Sequence, residues 1–239
     1  MGLAVAVAGV VAAATAPVRA AESSLDRDPA LAAWWRFDET SGAVARDASG
    51  HGRDATLVQR GGGIEWGAGR VNGAVHLDGK ARWVVRGFKG ITGTEPRTVT
   101  AWIRTPSRSG QIVVWGVNDA GKMWRFGFIR GRIGVTPKGG YLYMRDATDD
   151  DQWHHVAIVI RAGSPPNLYE HARLYLDGEP AVIHDIGLLD LWPIDTGEGQ
   201  DVEIGPGWKG WLDDVRIYQR TLTEEEIRQL YAMGGQGGA

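Results

Sequence analysis

The stretch WKGWLDDVRIYQRTLTEEEIRQLY at residues 208–231 changes its hydrophobic period halfway, and it therefore predicts two elements in succession. Between residues 211 and 218, every second side chain belongs to one face, which is the pattern of a strand with one buried face. Asp213 is expected to share that face with Val215 and Ile217. A carboxylate on a buried face needs a hydrogen-bonding or ionic partner.

A short helix is predicted directly after this strand. Thr223 is a favourable N-cap, and Glu226 three residues later completes a capping box. Ile227, Leu230 and Tyr231 then follow at helical spacing and form one apolar stripe. We therefore expect the helix to lie against the sheet that contains the strand.

The rest of the chain is predicted to be β structure. Alternating apolar runs separated by turns predict strands at residues 33–38, 98–104, 111–117, 123–129, 132–136, 141–145, 153–161 and 201–205. Two Asp-Gly steps, Asp78-Gly79 and Asp177-Gly178, lie between such runs and predict two-residue hairpin turns. The pattern predicts an all-β fold, an antiparallel sandwich of two sheets.

Six short segments occur in an order that is typical of one family. Besides residues 208–231, they are WWRFDETSGAVARDASGHGRDATL from Trp34, GAVHLDG from Gly73, RTVTAWIR from Arg97, WHHVAIVI from Trp153 and RLYLDGE from Arg173. Together they resemble the laminin-G-like domains of the concanavalin A-like lectin/glucanase superfamily, in their secreted bacterial form. The resemblance implies a two-sheet jelly roll with a short C-terminal helix.

The composition excludes several classes of function. The 239 residues carry a net charge of −3, so no basic excess indicates nucleic acid or an anionic membrane surface as a partner. The chain contains no Cys, which excludes disulfides, thiol catalysis and a cysteine-based zinc site. Its length suits one sandwich-sized domain, which we expect to be a monomer.

The chain is predicted to have four regions. Residues 1–21 are expected to be a signal peptide, because residues 3–16 are almost entirely Ala, Val, Leu and Gly and a small-x-small pattern follows. A retained membrane anchor is the alternative. Residues 22–30 are predicted to be a polar linker, 31–233 the jelly-roll domain and 234–239 a Gly-rich tail. The mature protein is expected to be secreted, periplasmic or on the bacterial cell surface.

The resemblance also implies one structural calcium ion (Ca²⁺) that ties the first strand to the last. Its expected side-chain ligands are Asp47 and Asp213, with carbonyl groups near residues 50–52, since calcium takes roughly six to eight oxygen ligands. Asp38 is a weaker candidate, because strand alternation places it opposite the inward Phe37. The alternative is that Asp47 makes an Asx-turn and Asp213 accepts backbone N–H groups.

Aromatic residues in the middle of the chain are candidates for a sugar platform. Sugars stack their apolar faces on flat rings while their hydroxyls bond to nearby polar groups. In the superfamily the corresponding strands line the concave sheet, so the resemblance implies ligand binding by Trp115, Trp124, Arg125, Tyr141 and Tyr143, with further polar contacts from Asn118 and Arg145. We expect Trp115 and Tyr143 to be exposed. The alternative for each ring is packing in the core.

The leading functional prediction is a secreted, non-catalytic module that recognises a glycan or a cell-surface protein. The alternatives are a glycoside hydrolase or lyase of the glucanase type, and a purely structural cell-surface module. The glucanase run Glu-x-Asp-x-x-Glu is absent, and Glu198, Asp201 and Glu203 form only a loose acidic stretch. Two acids from different strands can still meet, and retaining hydrolysis needs its two carboxyl groups about 5 Å apart.

Overall fold

The computed structural model describes residues 23–59, 61–187 and 193–235. The predicted signal peptide and residues 236–239 of the predicted tail lie outside the described residues. Within these ranges, no helix has the length and apolar character needed to cross a membrane.

The described residues form seventeen strands and two short α-helices. In chain order, the strands are β1 Leu31–Trp35, β2 Val44–Ala45, β3 Ala55–Gln59, β4 Ile64–Ala68, β5 Gly73–Asp78, β6 Ala81–Val85, β7 Arg97–Arg104, β8 Gln111–Gly116, β9 Met123–Ile129, β10 Arg132–Thr136, β11 Tyr141–Met144, β12 Trp153–Ile160, β13 Ala172–Leu176, β14 Glu179–Pro180, β15 Ile183–Gly187, β16 Gln200–Ile204 and β17 Lys209–Tyr218. The helices are α1 Leu168–His171 and α2 Glu224–Gly234, and one turn of 3-10 helix covers Ser24–Arg27.

The strands pair into two antiparallel sheets with the core between them. The eight-stranded sheet has the order β14-β13-β12-β7-β17-β5-β4, with β1 also paired to β17. The nine-stranded sheet has the order β15-β11-β10-β9-β8-β16-β6-β3-β2. Side chains from both sheets, among them Trp35 and Trp83, form one apolar cluster with Trp208, which precedes β17, and this cluster is closed to solvent. The predicted all-β jelly roll with a short C-terminal helix is confirmed.

Helix α2 covers the outer face of the eight-stranded sheet. The Thr223 hydroxyl accepts the N–H of Glu226 at 3.2 Å, and the Glu226 carboxylate accepts the N–H of Thr223 at 2.8 Å. The predicted capping box is therefore confirmed. Ile227 and Leu230 are buried, whereas Tyr231 is partly exposed and stacks on a tryptophan of β7 with the ring centroids 5.6 Å apart.

Residues 23–30, which we predicted as a linker, instead pack on the domain. Leu25 is buried in the apolar cluster on the outer face of the eight-stranded sheet. Asp26 accepts a hydrogen bond from Arg216 at 2.6 Å, and Asp28 forms an ion pair with Arg220. The acids of this segment are therefore partners of two arginines near the C-terminal end of the chain.

A β-bulge at Asp214 reverses the alternation of β17. Asp214 has a φ of 49°, and the register between β17 and β7 shifts just after Asp213. Leu212 before the bulge and Val215 and Ile217 after it all face the core between the sheets. Asp213 lies on the opposite face, so the prediction that it shares a face with Val215 and Ile217 is wrong. One inserted residue changes the face of every residue that follows it.

The two Asp-Gly turns have different roles. Asp177 and Gly178 have φ values of 51° and 84°, and they join β13 to β14 as the predicted hairpin turn. Asp78-Gly79 joins β5 to β6, which belong to different sheets, so the hairpin predicted there is wrong. Asp78 instead accepts the N–H of Lys80 at 2.9 Å and turns the chain from one sheet to the other.

Candidate functional site

The predicted sugar platform is divided between the two faces of the nine-stranded sheet. Trp115 and Trp124 face the core, where both are 0% exposed and stack with their ring centroids 5.3 Å apart. The Trp115 indole N–H donates to the carbonyl of Ile91 at 3.1 Å. The prediction that Trp115 is exposed is wrong, and neither tryptophan presents a ring face to a ligand. Most of β8 is buried on both faces, so alternation along its sequence does not show which residues face outward.

Arg125, Tyr141 and Tyr143 lie on the outer face of the same sheet. Arg125 lies opposite Thr136 in the pairing of β9 with β10. The rings of Tyr141 and Tyr143 stack at 5.6 Å, and the Tyr143 ring lies 5.4 Å from that of His184. Tyr143 is only 6% exposed because it lies between these two rings, so the prediction that it is well exposed is wrong. Tyr141 is partly exposed.

A cavity of about 250 Å³ opens beside this row of rings. We call it the arginine groove, and it is lined by Arg108, Arg130, Gly131, Arg132, Tyr143 and His184. Arg108 comes from the β7–β8 loop, the next three residues from the β9–β10 hairpin, and the two rings from β11 and β15. The groove is therefore assembled from four separate parts of the chain.

Backbone geometry places the groove residues. Arg130 and Gly131 have φ values of 51° and 79°, which suit the two-residue turn that joins β9 to β10. The Arg130 guanidinium lies over the Tyr141 ring, 4.6 Å from its centroid. Gly134 of β10 lies directly opposite Tyr143, and a Cβ at Gly134 would come within 2.6 Å of the Tyr143 Cβ. Glycine at this position therefore allows the close approach of Tyr143.

A single aspartate supports two of the arginines. Asp149 accepts a hydrogen bond from Nε of Arg108 at 2.5 Å and lies 4.0 Å from Nη1 of Arg132. The Nε of Arg132 also donates to the backbone carbonyl of Arg145 at 3.0 Å. These contacts hold the two guanidinium groups at the groove wall.

Sequence reasoning missed Arg108, Arg130, Arg132 and His184. One local signal was present, because two arginines flank the turn glycine Gly131 between two predicted strands. His184 lies on an edge strand that alternation did not predict, and Arg108 lies in a loop. Only pairing between distant strands brings these residues together.

The carboxylate of Asp47 is occupied by its own chain. Its Oδ1 accepts the backbone N–H groups of Trp34 at 3.1 Å and Ser49 at 3.0 Å, and its Oδ2 accepts that of Arg53 at 2.9 Å. Burial by itself raises the pKa of Asp47, but the hydrogen bonds from Ser49, Arg53 and Trp34 outweigh it and hold the pKa below its ordinary value. These contacts match the Asx-turn alternative.

Asp213 is buried with one oxygen satisfied and the other not. Its Oδ2 accepts the N–H groups of Arg70 and Val71, both at 2.7 Å, in the β4–β5 turn. Its Oδ1 is buried and has no hydrogen-bond partner among the described residues. Burial raises the pKa of Asp213 well above its ordinary value, and repulsion from Asp214 and Asp38 adds to the effect. The ionised carboxylate therefore lacks sufficient compensation here.

Asp38 lies on the other side of the same turn. Its Oδ1 accepts the N–H of Gly73 at 2.9 Å, and its Oδ2 pairs with Arg36 at 3.0 Å. Burial raises the pKa of Asp38, although these two partners oppose the rise. β1 ends at Trp35 and Phe37 has a φ of 54°, so strand alternation does not apply to Asp38. The prediction that Asp38 points away from the other acids because of strand alternation is therefore wrong.

Asp213 fits a calcium ion better than Asp47 does, because its buried Oδ1 has no partner among the described residues, and Asp38 lies beside the same turn. No group of three or more His or acidic side chains among the described residues is placed to hold a metal ion. Calcium at this turn would therefore need backbone carbonyls and water for most of its ligands. The Gly73 carbonyl oxygen lies close to the Asp213 carboxylate. A Cβ atom added to Gly69 would be 2.1 Å from this carbonyl oxygen and 2.5 Å from Oδ2 of Asp213. A cavity of about 320 Å³ beside Asp38 offers a route for an ion to enter.

A family model now connects this architecture with known proteins. The model Laminin_G_3, of the concanavalin A-like lectin/glucanases superfamily, matches residues 78–228, which is more than half of the chain. The chain belongs to this family. The match begins at the end of β5 and reaches into α2, so it contains the arginine groove and Asp213, whereas Asp38 and Asp47 precede it.

Solved structures share this concanavalin A-like fold. Domain 4 of AbnA, a GH43 extracellular arabinanase from Geobacillus stearothermophilus solved in complex with arabinotriose, is 19% identical over 84% of this chain and 98% of that chain, with a TM-score of 0.64. The botulinum neurotoxin serotype G binding domain is 16% identical over 86% of this chain and 51% of its own, with a TM-score of 0.57. The binding domain of Paraclostridial Mosquitocidal Protein 1 is 16% identical over 84% and 51%, with a TM-score of 0.55. This chain therefore spans about half the length of the two toxin domains, and these identities show a shared fold.

Proposed function

We propose that this protein is a secreted, non-catalytic recognition module that binds a glycan in the arginine groove. The observation that carries this proposal is the groove itself, in which aromatic rings and guanidinium forks meet at one end of the nine-stranded sheet. Flat rings suit the apolar faces of sugars, and guanidinium groups donate several hydrogen bonds to sugar oxygens. A glycan carried by a cell-surface protein is a partner of the same chemistry.

Two further observations support the proposal. The arabinanase domain that resembles almost the whole of this fold was solved with arabinotriose, an oligosaccharide. The N-terminal apolar run of residues 3–16 supports export, and an exported protein can encounter extracellular glycans.

A glycan microarray probed with the full chain and two variants tests the proposal. Tyr141→Ala removes the partly exposed ring beside the groove, and it should weaken binding about tenfold, equivalent to about 1.4 kcal/mol. Tyr169→Ala is the matched control, because Tyr169 is 63% exposed on α1 and is not one of the groove residues. If Tyr141→Ala binds glycans as tightly as the wild type, the arginine groove is not the binding site. No glycan binding by the full chain would contradict the function itself.

We further propose that a calcium ion binds between Asp38 and Asp213 and stabilises the fold. The buried Oδ1 of Asp213, which has no partner within the described residues, supports this site. The ion would supply the positive charge that Asp213 lacks, and it would hold the segment after β1, the β4–β5 turn and β17 together. Its role would be structural, since the site lies on β17 of the eight-stranded sheet and the groove borders the other sheet.

Hydrolysis remains the second class of function to test. Two acids of the segment before β17 are paired, Glu203 with Arg82 at 3.0 Å and Asp201 with Lys89 at 2.8 Å. Both acids are held by cations, which favours structural roles for them over acid–base catalysis. Release of reducing sugar from any glycan bound on the array would support the glycoside hydrolase instead. A chain that binds nothing would leave the purely structural module.

A further inference from the structure

The arginine groove carries an excess of positive charge. Three arginines line it, and Asp149 is the one carboxylate in contact with them among the side chains that the structure describes. Asp149 lies within 4.0 Å of both Arg108 and Arg132, so it neutralises at most one of the three charges. Counting only the side chains that the structure describes, an excess of about two positive charges therefore faces this small cavity, although the whole chain carries a net charge of −3.

The guanidinium groups are also available to a ligand. The side chains of Arg108 and Arg132 are 65% and 31% exposed, respectively. Arg130 is exposed, and within the described ranges it makes no hydrogen bond or ion pair, so its N–H groups remain free to donate. The Tyr141 ring lies against its guanidinium plane and holds it at the hairpin tip. The planar fork of arginine matches two oxygens of a carboxylate or sulfate group.

The backbone at Arg130 supports a role beyond the turn itself. Its φ of 51° is a conformation that Asn, Asp or Gly adopts more readily than Arg does. An arginine at this position therefore does not serve the turn. Its side chain places a positive charge over the Tyr141 ring at the edge of the groove.

From these observations we infer that the arginine groove selects an acidic sugar, one that carries a carboxylate or a sulfate group. The inference rests on the proposed glycan-binding function and adds the class of ligand. The accessible rings of Tyr141 and His184 contact the sugar ring, and Arg130 with Arg108 and Arg132 binds the anionic group. The cavity of about 250 Å³ suits a single sugar residue of a chain rather than a long oligosaccharide.

Titration calorimetry with paired probes tests the inference on the full chain. An oligogalacturonate is compared with its neutral methyl ester, and a carrageenan oligosaccharide with its desulfated form, so that the members of each pair share one sugar backbone and differ at the anionic group. We expect at least one acidic member to bind about tenfold more tightly than its neutral partner. Raising the salt from about 0.05 M to about 0.5 M should weaken that binding several-fold, because salt screens exposed charges.

Variants separate charge selection from glycan binding. Arg130→Gln should lose most of the preference for the acidic probe while melting at the same temperature, because Arg130 makes no stabilising ion pair in the described structure. Arg46→Gln is the matched control, since the Arg46 side chain is 74% exposed outside the groove, and its affinity should stay within twofold. Equal binding of acidic and neutral probes, or an unchanged preference in Arg130→Gln, overturns the inference and leaves the glycan-binding proposal standing. If no probe and no arrayed glycan binds, the inference of acidic-sugar selection and the glycan-binding proposal are both contradicted.

Discussion

Replacing Asp213 with Asn should have opposite effects on stability in the absence and in the presence of calcium. Without calcium, the wild-type carboxylate is buried, and only one of its oxygens has partners, the N–H groups of Arg70 and Val71. Asparagine has the same shape, keeps an oxygen for those two donors and carries no charge to bury. In EDTA, the variant should therefore melt at the same temperature as the wild type or higher.

Calcium should stabilise only the wild type. An ion that binds the folded state adds about 2.7 kcal/mol when its concentration is about 100 times the Kd. For a domain of this size, that corresponds to a rise of roughly 5–10 °C in melting temperature. Burial raises the pKa of Asp213, so ionising this carboxylate costs stability in the folded state. In EDTA, the unfolding free energy of the wild type should therefore fall further below that of Asp213→Asn as pH rises above the ordinary pKa of Asp.

Differential scanning calorimetry of the wild type, Asp213→Asn and Asp47→Asn provides the measurement. Asp47 accepts three backbone N–H groups, so Asp47→Asn should lower the melting temperature by a similar amount with and without calcium. The calcium-dependent rise should therefore persist in Asp47→Asn and disappear in Asp213→Asn. An equal rise in wild type and Asp213→Asn would refute the site, as would a wild type that does not respond to calcium.

Three further predictions concern the scaffold. Arg216 is buried between Asp214 and Asp26, so Arg216→Met leaves two buried carboxylates uncompensated and should cost about 3–5 kcal/mol in urea unfolding; a loss below about 1 kcal/mol would show that the pair is not needed. A hydrogen bond with Asp177 raises the pKa of His154, so protonated His154 stabilises the fold fully below pH 6.5, and this stabilisation is lost as pH rises through the folded-state pKa. The unfolding free energies of wild type and His154→Gln should therefore differ more at pH 5 than at pH 8.5. A constant difference would contradict this. Thr223→Ala removes the N-cap of α2 and should cost about 1 kcal/mol, whereas Thr223→Ser should cost much less; equal losses would indicate that the hydroxyl does not cap the helix.

Local sequence determined the elements of this protein. Period-two alternation was sufficient for β9 and β10, whose predicted limits at residues 123–129 and 132–136 agree with the structure. The capping box of α2 depends on residues three apart, so it too can be predicted from the sequence alone. The family could be identified because its short motifs keep their order along the chain.

Only the tertiary structure decided which faces and sites these elements form. The bulge at Asp214 moved Asp213 to the outer face, and burial of β8 on both faces placed Trp115 in the core; neither change leaves a periodic signal in the sequence. The arginine groove depends on β11 pairing with β10 and β15, and on the loop that brings Arg108 to the tip of the β9–β10 hairpin. A strand pattern specifies which residues alternate but not which distant strand lies beside them. The elements of the scaffold can therefore be predicted from the sequence, whereas the candidate site forms only when distant strands pair.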